Sequence, residues 1–552
     1  SIPPGDARSL SASISPGDGA ACRAALAADC AEASDGRCRA SARALAPSKP
    51  AAFAAAACAP LGQTVTSPRP HDGDERAAAA APVGYLSPTE LTPAHALVVC
   101  ELLAALATRA PRATESDDDG GWARALLRAA CDALGLRSRT ARAAVLARAA
   151  PAPGALPLAD TPTLTDSLAL ARRSFEAGGR AARAAIVRPL LALLASGAAD
   201  ARTLLVLRAA ASTLGVHWEI AARAADEWAR DGAARLCAAR AAARPRCARA
   251  DADADADAEG EGEGEGEGTL MVVRAHLGAA ARLDSLSFAR EGVRHFRLAR
   301  MSDTIGAELV IGVSGFAPPH RAGADADAVG LGAPWRALAL ELGAHEVWAL
   351  SWGGEGVGKI SAALHGGGVR AVDGGGDARG VLGALGGALG VHGPALLPST
   401  WTACAAQAKA AGRLLAEQLS RHALGRRPVT LVGFSLGGRV VFHTLECLAD
   451  AGALDAVLDV ALLGAAVTSK PERWERVRPA VAGRLVNGFS PNDSFLRAHH
   501  RLMHVASPPP AGSVPVRCAS VENVDVGDAL PDHRALASAS AILLRRLGVP
   551  HT

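Results

Sequence analysis

The segment Val429-Thr430-Leu431-Val432-Gly433-Phe434-Ser435-Leu436-Gly437-Gly438 holds a serine in a setting that turns a hydroxyl into a nucleophile. The aliphatic and β-branched run before it predicts a buried strand, and Val440, Val441, Leu445 and Leu448 predict the apolar face of a following helix. Gly-x-Ser-x-Gly between strand and helix reads as a nucleophile elbow, in which the serine sits on a sharp, strained turn. Gly433 and Gly437 leave room for strand and helix to approach closely, and Gly438 adds slack. The N–H of Leu436 would stand at the helix N-terminus, aimed at a developing oxyanion. The plain alternative is a chance match in an Ala/Gly-rich chain, and the strand–turn–helix context favours the elbow.

A serine nucleophile needs a base, and the base needs an orienting acid, in the chain order Ser, Asp/Glu, His. Asp493 lies just after a predicted strand at 484–488, where catalytic groups gather at the carboxyl ends of parallel strands. Its competing role is to cap a helix predicted over 494–500. His533 follows the last predicted strand, 514–520, and precedes the last helix, 535–547, which makes it the expected base. His499, His500 and His504 compete less well because they precede that strand. His443, on the elbow helix, is expected to pack or face solvent. Asp525 is the runner-up acid, with Asp528 and Asp532 behind it. The second oxyanion donor is expected after the strand at 309–313, from the N–H of Phe316 or of Ala317. On this reading His533 takes the Ser435 proton as Ser435 attacks an ester carbonyl, and Asp493 holds the imidazole. Two backbone N–H groups stabilise the oxyanion, and water cleaves the acyl-enzyme. No metal or organic cofactor is needed.

The elements that must position these residues form an alternating pattern. Strands are predicted at 309–313, 347–352, 429–432, 457–463, 484–488 and 514–520, with helices at 335–342, 403–421, 439–450, 471–478 and 535–547. Alternation of this kind implies an α/β domain, a mostly parallel sheet with helices on both faces, over 271–552. Ahead of it, apolar stripes at helical spacing predict helices at 122–134, 168–177, 181–194, 200–214 and 217–231, an all-helical domain over 84–240. Residues 241–270, with Asp-Ala and then Glu-Gly repeats, read as a flexible acidic linker. Residues 1–83 are Ala-, Pro-, Ser- and Arg-rich without periodicity and read as disordered.

The 552-residue chain is 49% hydrophobic but only 3% aromatic, with one tyrosine. A net charge of +3 over this length gives no argument for nucleic acid. The eleven cysteines are scattered, with no Cys-x-x-Cys and no zinc pattern, which suggests reduced thiols in an intracellular protein. The chain opens at Ser1 without an initiator Met, so its natural start is expected upstream, and no secretory signal is visible. The longest uncharged stretch, 380–408, is broken by His392, Pro394 and Pro398 and reads as a helix or lid rather than a membrane span. No Gly-x-x-x-x-Gly-Lys-Ser/Thr occurs, which disfavours a P-loop enzyme.

Three blocks together resemble the family of unknown function 726, of the α/β-hydrolase superfamily. They are the run from Arg427 to Arg439, the run from Gly483 to Asp493, and Glu522-Asn-Val-Asp-Val526 leading on to His533. Leu350-Ser-Trp352 and the stretch from Ala201 to Trp218 are similar too, so the likeness spans roughly 84–235 and 300–548. The resemblance implies an α/β-hydrolase domain behind a helical region, with Ser435, Asp493 and His533 at the triad positions. It also implies lipase- or esterase-like activity, membrane association and a link to vesicle traffic. Similar members carry a Gly-rich hydrophobic segment where this chain has its Asp-Ala and Glu-Gly repeats, so an integral membrane segment is not evident. Two functions compete: a serine hydrolase acting on lipid or other acyl esters, and a non-catalytic hydrolase-fold scaffold or adaptor with a membrane surface or trafficking protein as partner. An intact triad favours the first.

Overall fold

The computed structural model describes residues 91–110, 121–149, 163–250, 265–278, 283–290, 293–316, 333–342, 345–364, 398–503 and 508–549. Every described residue lies in one unit, Ala51–Thr552. The disorder expected over 1–83, the centre of the repeat linker, Ala317, His504 and residues 380–397 of the expected helix or lid lie outside the described residues.

Eight strands form one sheet: β1 (Ser285–Arg290), β2 (Val293–Arg300), β3 (Leu309–Val313), β4 (Glu346–Ser351), β5 (Val429–Phe434), β6 (Val457–Leu463), β7 (Leu485–Phe489) and β8 (Glu522–Asp525). Their order is β1-β2-β4-β3-β5-β6-β7-β8. β2 runs antiparallel to β1 and to β4, and every pair from β4 to β8 is parallel, so the sheet is mixed but mostly parallel. From β3 the chain builds outward to β4 on one side, and from β5 to β8 on the other. The order reverses between β3 and β5, and ligands of open α/β sheets bind in such a crevice.

Two sequence expectations are corrected here. The first two strands, an antiparallel pair, were not expected. The strand expected at 514–520 is a loop, and β8 comes after it. Val514, Val516 and Cys518 alternate like a strand, but Pro515 has no N–H for a ladder. Val516 exchanges both its hydrogen bonds with the Asn523 carboxamide instead, at 2.8 and 2.9 Å.

Among the described residues eight helices come ahead of the sheet: α1 (Pro93–Ala107), α2 (Gly121–Ala133), α3 (Arg139–Ala149), α4 (Leu164–Ser174), α5 (Arg180–Ser196), α6 (Ala201–Thr213), α7 (Trp218–Ala250) and α8 (Glu265–Leu277). Their starts are written in the sequence. Thr92 caps α1 with Pro93 in its first turn, and reciprocal capping boxes open α4 (Thr163 with Asp166) and α6 (Asp200 with Thr203). α7 runs on through 241–250, and α8 begins within the Glu-Gly repeat, so 265–270 are helical. Val273 and Leu277 of α8 pack with Leu103, Leu127, Ile186 and Leu207 of the earlier helices.

Helices α9 (Ala333–Leu342), α10 (Gly354–Leu364), α11 (Pro398–Ser420), α12 (Leu436–Ala451), α13 (Pro471–Val477), α14 (Ser494–Met503) and α15 (Leu536–Leu547) alternate with the strands. The sheet core is a separate cluster that contains Trp335, Trp348, Phe434, Val441 and Leu462, all buried. Helical layer and sheet meet at the amino ends of the strands. Arg208 of α6 reaches Glu308 (2.6 Å) and Asp459 (3.0 Å), Asp226 of α7 accepts from the Ala307 N–H (2.8 Å), and the Ala201 N–H donates to the Asp455 carbonyl (2.9 Å).

Candidate active site

Ser435 follows β5 and begins α12 with φ 55° and ψ −120°, a region that residues with a side chain rarely occupy. Three close approaches hold it there. A Cβ on Gly437 would overlap the Val313 carbonyl, one on Gly433 would stand 2.6 Å from Gly438 Cα, and one on Gly438 would stand 2.6 Å from Ala465 Cβ. The Ser435 N–H donates to the Leu463 carbonyl and its own carbonyl accepts from Ala466, both at 3.1 Å. The turn is thus fixed from both sides.

The loop from β7 carries Asp493, and the segment after β8 carries His533 at the start of a short 3-10 turn, His533–Ala535. Ser490 and Asn492 tie the two segments together by donating to the carbonyls of Leu530 (3.0 Å) and Gly527 (2.9 Å). The result is a buried relay. The Ser435 hydroxyl lies 2.7 Å from His533 Nε2, and His533 Nδ1 lies 2.5 Å from Asp493 Oδ2. With the carboxylate accepting from Nδ1–H, Nε2 is left as the acceptor for the hydroxyl proton. The other oxygen of Asp493, Oδ1, accepts from the Leu496 N–H at 2.8 Å and caps α14, so the cap and the bond to His533 are made by different oxygens.

The loop after β3 is held against the elbow. Ser314 accepts from two buried indoles, its hydroxyl from Trp335 at 2.9 Å and its carbonyl from Trp352 at 3.0 Å. Gly315 then passes so near α12 that a Cβ there would overlap the Leu436 nitrogen. Phe316 follows, its ring 5.5 Å from that of His533. Leu436 and Phe316, the two expected oxyanion donors, are therefore brought beside one serine.

The competitors lie elsewhere. Asp525 accepts from the Gly527 N–H (2.8 Å), Asp532 pairs with Arg534 (2.9 Å), and Asp528 pairs with Arg546. His443 is bound to Glu446 at 2.6 Å. His499 packs tilted against Trp401, with ring centroids 4.1 Å apart. This last contact belongs to a group that sequence reasoning missed: Trp401, Phe495 and His499 form an aromatic cluster, and Phe495 lies 5.2 Å from His533. Phe495 stands two residues after the expected acid in a chain that is only 3% aromatic, and that rarity was the available signal.

Ser435 is 2% exposed, His533 1% and Asp493 0%. A cavity of about 250 Å³ lies at the other end of the sheet, between Trp122, Asp200, His422 and Asp455, and holds none of these residues. Among the described residues no cluster of His, Cys, Asp or Glu could hold a metal ion.

The model of a family described as protein of unknown function (DUF726) matches residues 260–550. The chain is 40% identical over 152 residues to the transmembrane and coiled-coil domain-containing protein STS1 of Oryza sativa subsp. japonica, which covers 27% of this chain and 23% of that one. It is 41% identical over 109 residues to an uncharacterized membrane protein of Caenorhabditis elegans, covering 20% and 18%. It is 34% identical over 155 residues to a protein of Saccharomyces cerevisiae named probable lipase MIL1, covering 28% and 14%. The chain thus spans less than a quarter of the length of each of these three relatives. No solved structure matches. Among the described residues no helix is long and apolar enough to cross a membrane.

Proposed function

The chain belongs to the DUF726 family, and from that premise we propose that it is a serine hydrolase of the lipase or esterase kind. The single observation that carries this reading is the hydrogen-bonded line from Ser435 through His533 to Asp493, built on a serine with φ 55°. A backbone this strained persists only where its surroundings over-determine it, and such strain clusters at active sites. Ser435 attacks the acyl carbonyl, His533 takes its proton and later returns it to the leaving alcohol, and Asp493 holds the imidazole and steadies the imidazolium. The N–H groups of Leu436 and Phe316 stabilise the oxyanion. The sheet with its helices acts as an α/β-hydrolase domain, and α1–α8 act as a helical domain on its amino edge. The aromatic wall of Trp401, Phe495 and Phe316 supports an acyl chain as the group bound. A relative named as a lipase and another named as a membrane protein support a lipid ester met at a membrane surface.

Labelling of the purified chain by a fluorophosphonate probe tests the reading. Wild type should label, and Ser435→Ala and His533→Ala should not. A folded wild type that stays unlabelled with and without liposomes would sink it and return the chain to the scaffold alternative.

A further inference from the structure

Arg439 lies one helical turn beyond Ser435 on α12, and helical side chains tilt back toward the N-terminus, here toward the serine. Among the described residues its guanidinium donates to two backbone carbonyls, both at long range: Ala405 at 3.4 Å and Ala466 at 3.3 Å. Ala466 donates its own N–H to the Ser435 carbonyl, and Ala405 stands one turn along α11 from Trp401. The guanidinium therefore joins the segment bonded to the Ser435 backbone to α11, the helix that carries Trp401.

Among the described residues no carboxylate pairs with it directly, and the acid that acts on it from a distance is Glu446. That acid is already held by His443 at 2.6 Å and by Arg473. Arg473 is a second cation close enough to push the Arg439 pKa down, in the same direction as burial. A guanidinium carries five donors in a planar fork suited to carboxylate and phosphate oxygens, and here two of the five make long contacts. A half-buried cation whose nearest acid is shared with two other groups is costly, and a bound anion would offset that cost. On the other side of the serine the walls are apolar. A ligand that satisfies both sides is an amphiphile, with an acyl chain at one end and an anion a short span from the ester.

We propose that Arg439 binds the phosphate of a phosphate-bearing lipid ester whose acyl chain lies along Trp401, Phe495 and Phe316. This rests on the serine-hydrolase reading and names its substrate class. A phosphate on glycerol sits a few bonds from the scissile ester, and Arg439 sits one turn, roughly 5–6 Å, from the nucleophile along α12.

The test compares 1-oleoylglycerol 3-phosphate with 1-oleoylglycerol on the full chain. Wild type should favour the phosphate ester in kcat/KM by about tenfold or more, the scale of one charge-assisted hydrogen bond. Arg439→Gln should erase that ratio through KM, and Arg439→Lys should restore much of it. No preference in wild type, or a variant that loses both substrates alike with no rescue by lysine, would show Arg439 to be a strap between α11 and α12 and would overturn the proposal. A second arm measures binding of the same two lipids to Ser435→Ala protein with and without Arg439→Gln, so it needs no turnover. There the phosphate lipid should bind more tightly than the neutral one only while the arginine is present, and equal affinities would overturn the proposal. If wild type neither labels nor hydrolyses, the hydrolase reading fails, and this binding arm still decides the role of Arg439. Inorganic phosphate that binds as tightly as the lipid, with the same loss in the variant, would overturn the lipid assignment.

Discussion

Asp493 does two things with two oxygens, and they can be separated. Oδ2 takes the His533 Nδ1–H and Oδ1 caps α14 through Leu496. Asparagine can keep the cap, because one oxygen remains, but its amide nitrogen cannot accept from Nδ1–H. Asp493→Asn is therefore expected to lower kcat on a chromogenic ester by about 10³–10⁴-fold, the scale set by losing the correct tautomer in other triads. Its Tm should stay near wild type, while Asp493→Ala should also lose the cap, at about 1 kcal/mol. Equal Tm losses in both variants, with kcat barely changed, would mean that the side chain serves the helix alone. The three residues of this line were legible because chemistry fixes their types and chain topology fixes their order. Trp401, Phe495 and Arg439 were not, since nothing in the spacing of a tryptophan 132 residues before a histidine says that they share a wall.

Strands were legible where they are buried on both faces, as in β3, β5 and β6, because a parallel strand between helix layers must be aliphatic throughout. β1 and β2 escaped because arginines at 294, 297 and 300 break the apolar pattern of an edge hairpin. β8 escaped because Glu-Asn-Val-Asp is polar and only partly buried, and the better-looking alternation just before it contains Pro515. The same logic of approach distances separates glycines that hold the elbow from glycines that do not. Gly437→Ala drives a Cβ into the Val313 carbonyl, and backbone cannot step aside as a flexible side chain can. That variant should lose about 1–3 kcal/mol of stability by overpacking, and fluorophosphonate labelling with it. Gly358, on an exposed turn of α10, has nothing within 4 Å of an added Cβ. Gly358→Ala should gain about 0.5–1 kcal/mol from helix propensity and keep full labelling. Urea midpoints and labelling of the pair decide this, and a Gly437→Ala protein that labels like wild type would remove the close approach from the argument.

Across the whole molecule, the helical layer is fastened to the sheet's amino edge by charged groups taken partly out of water. Burial pushes the Asp226 carboxyl up to about 7, against help from the Ala307 N–H, with Glu308 and Glu346 adding to the rise and Arg230 opposing it. In the same layer burial, then Arg427, pushes His276 down to about 3, and Trp228 stands edge-on to its ring. The two groups pull stability in opposite directions. Between about pH 4 and 7 the folded chain keeps a proton on Asp226 that the unfolded chain has lost, so this contribution to stability falls as pH rises. Below the ordinary imidazole value of 6.5 the unfolded chain takes up a proton that folded His276 refuses until about pH 3, so this contribution falls as pH drops. Each slope is roughly 1.4 kcal/mol per pH unit, and where they overlap they nearly cancel. Asp226→Asn keeps an acceptor for Ala307 and removes one of the two slopes. Its stability relative to wild type should therefore climb between pH 5 and pH 8, by on the order of 2–3 kcal/mol. Urea unfolding of both proteins at the two pH values measures the gap. A gap of the same size at pH 5 and pH 8 would mean that Asp226 ionises in the folded chain as it does in water, and that its bond to Ala307 is made by a charged group.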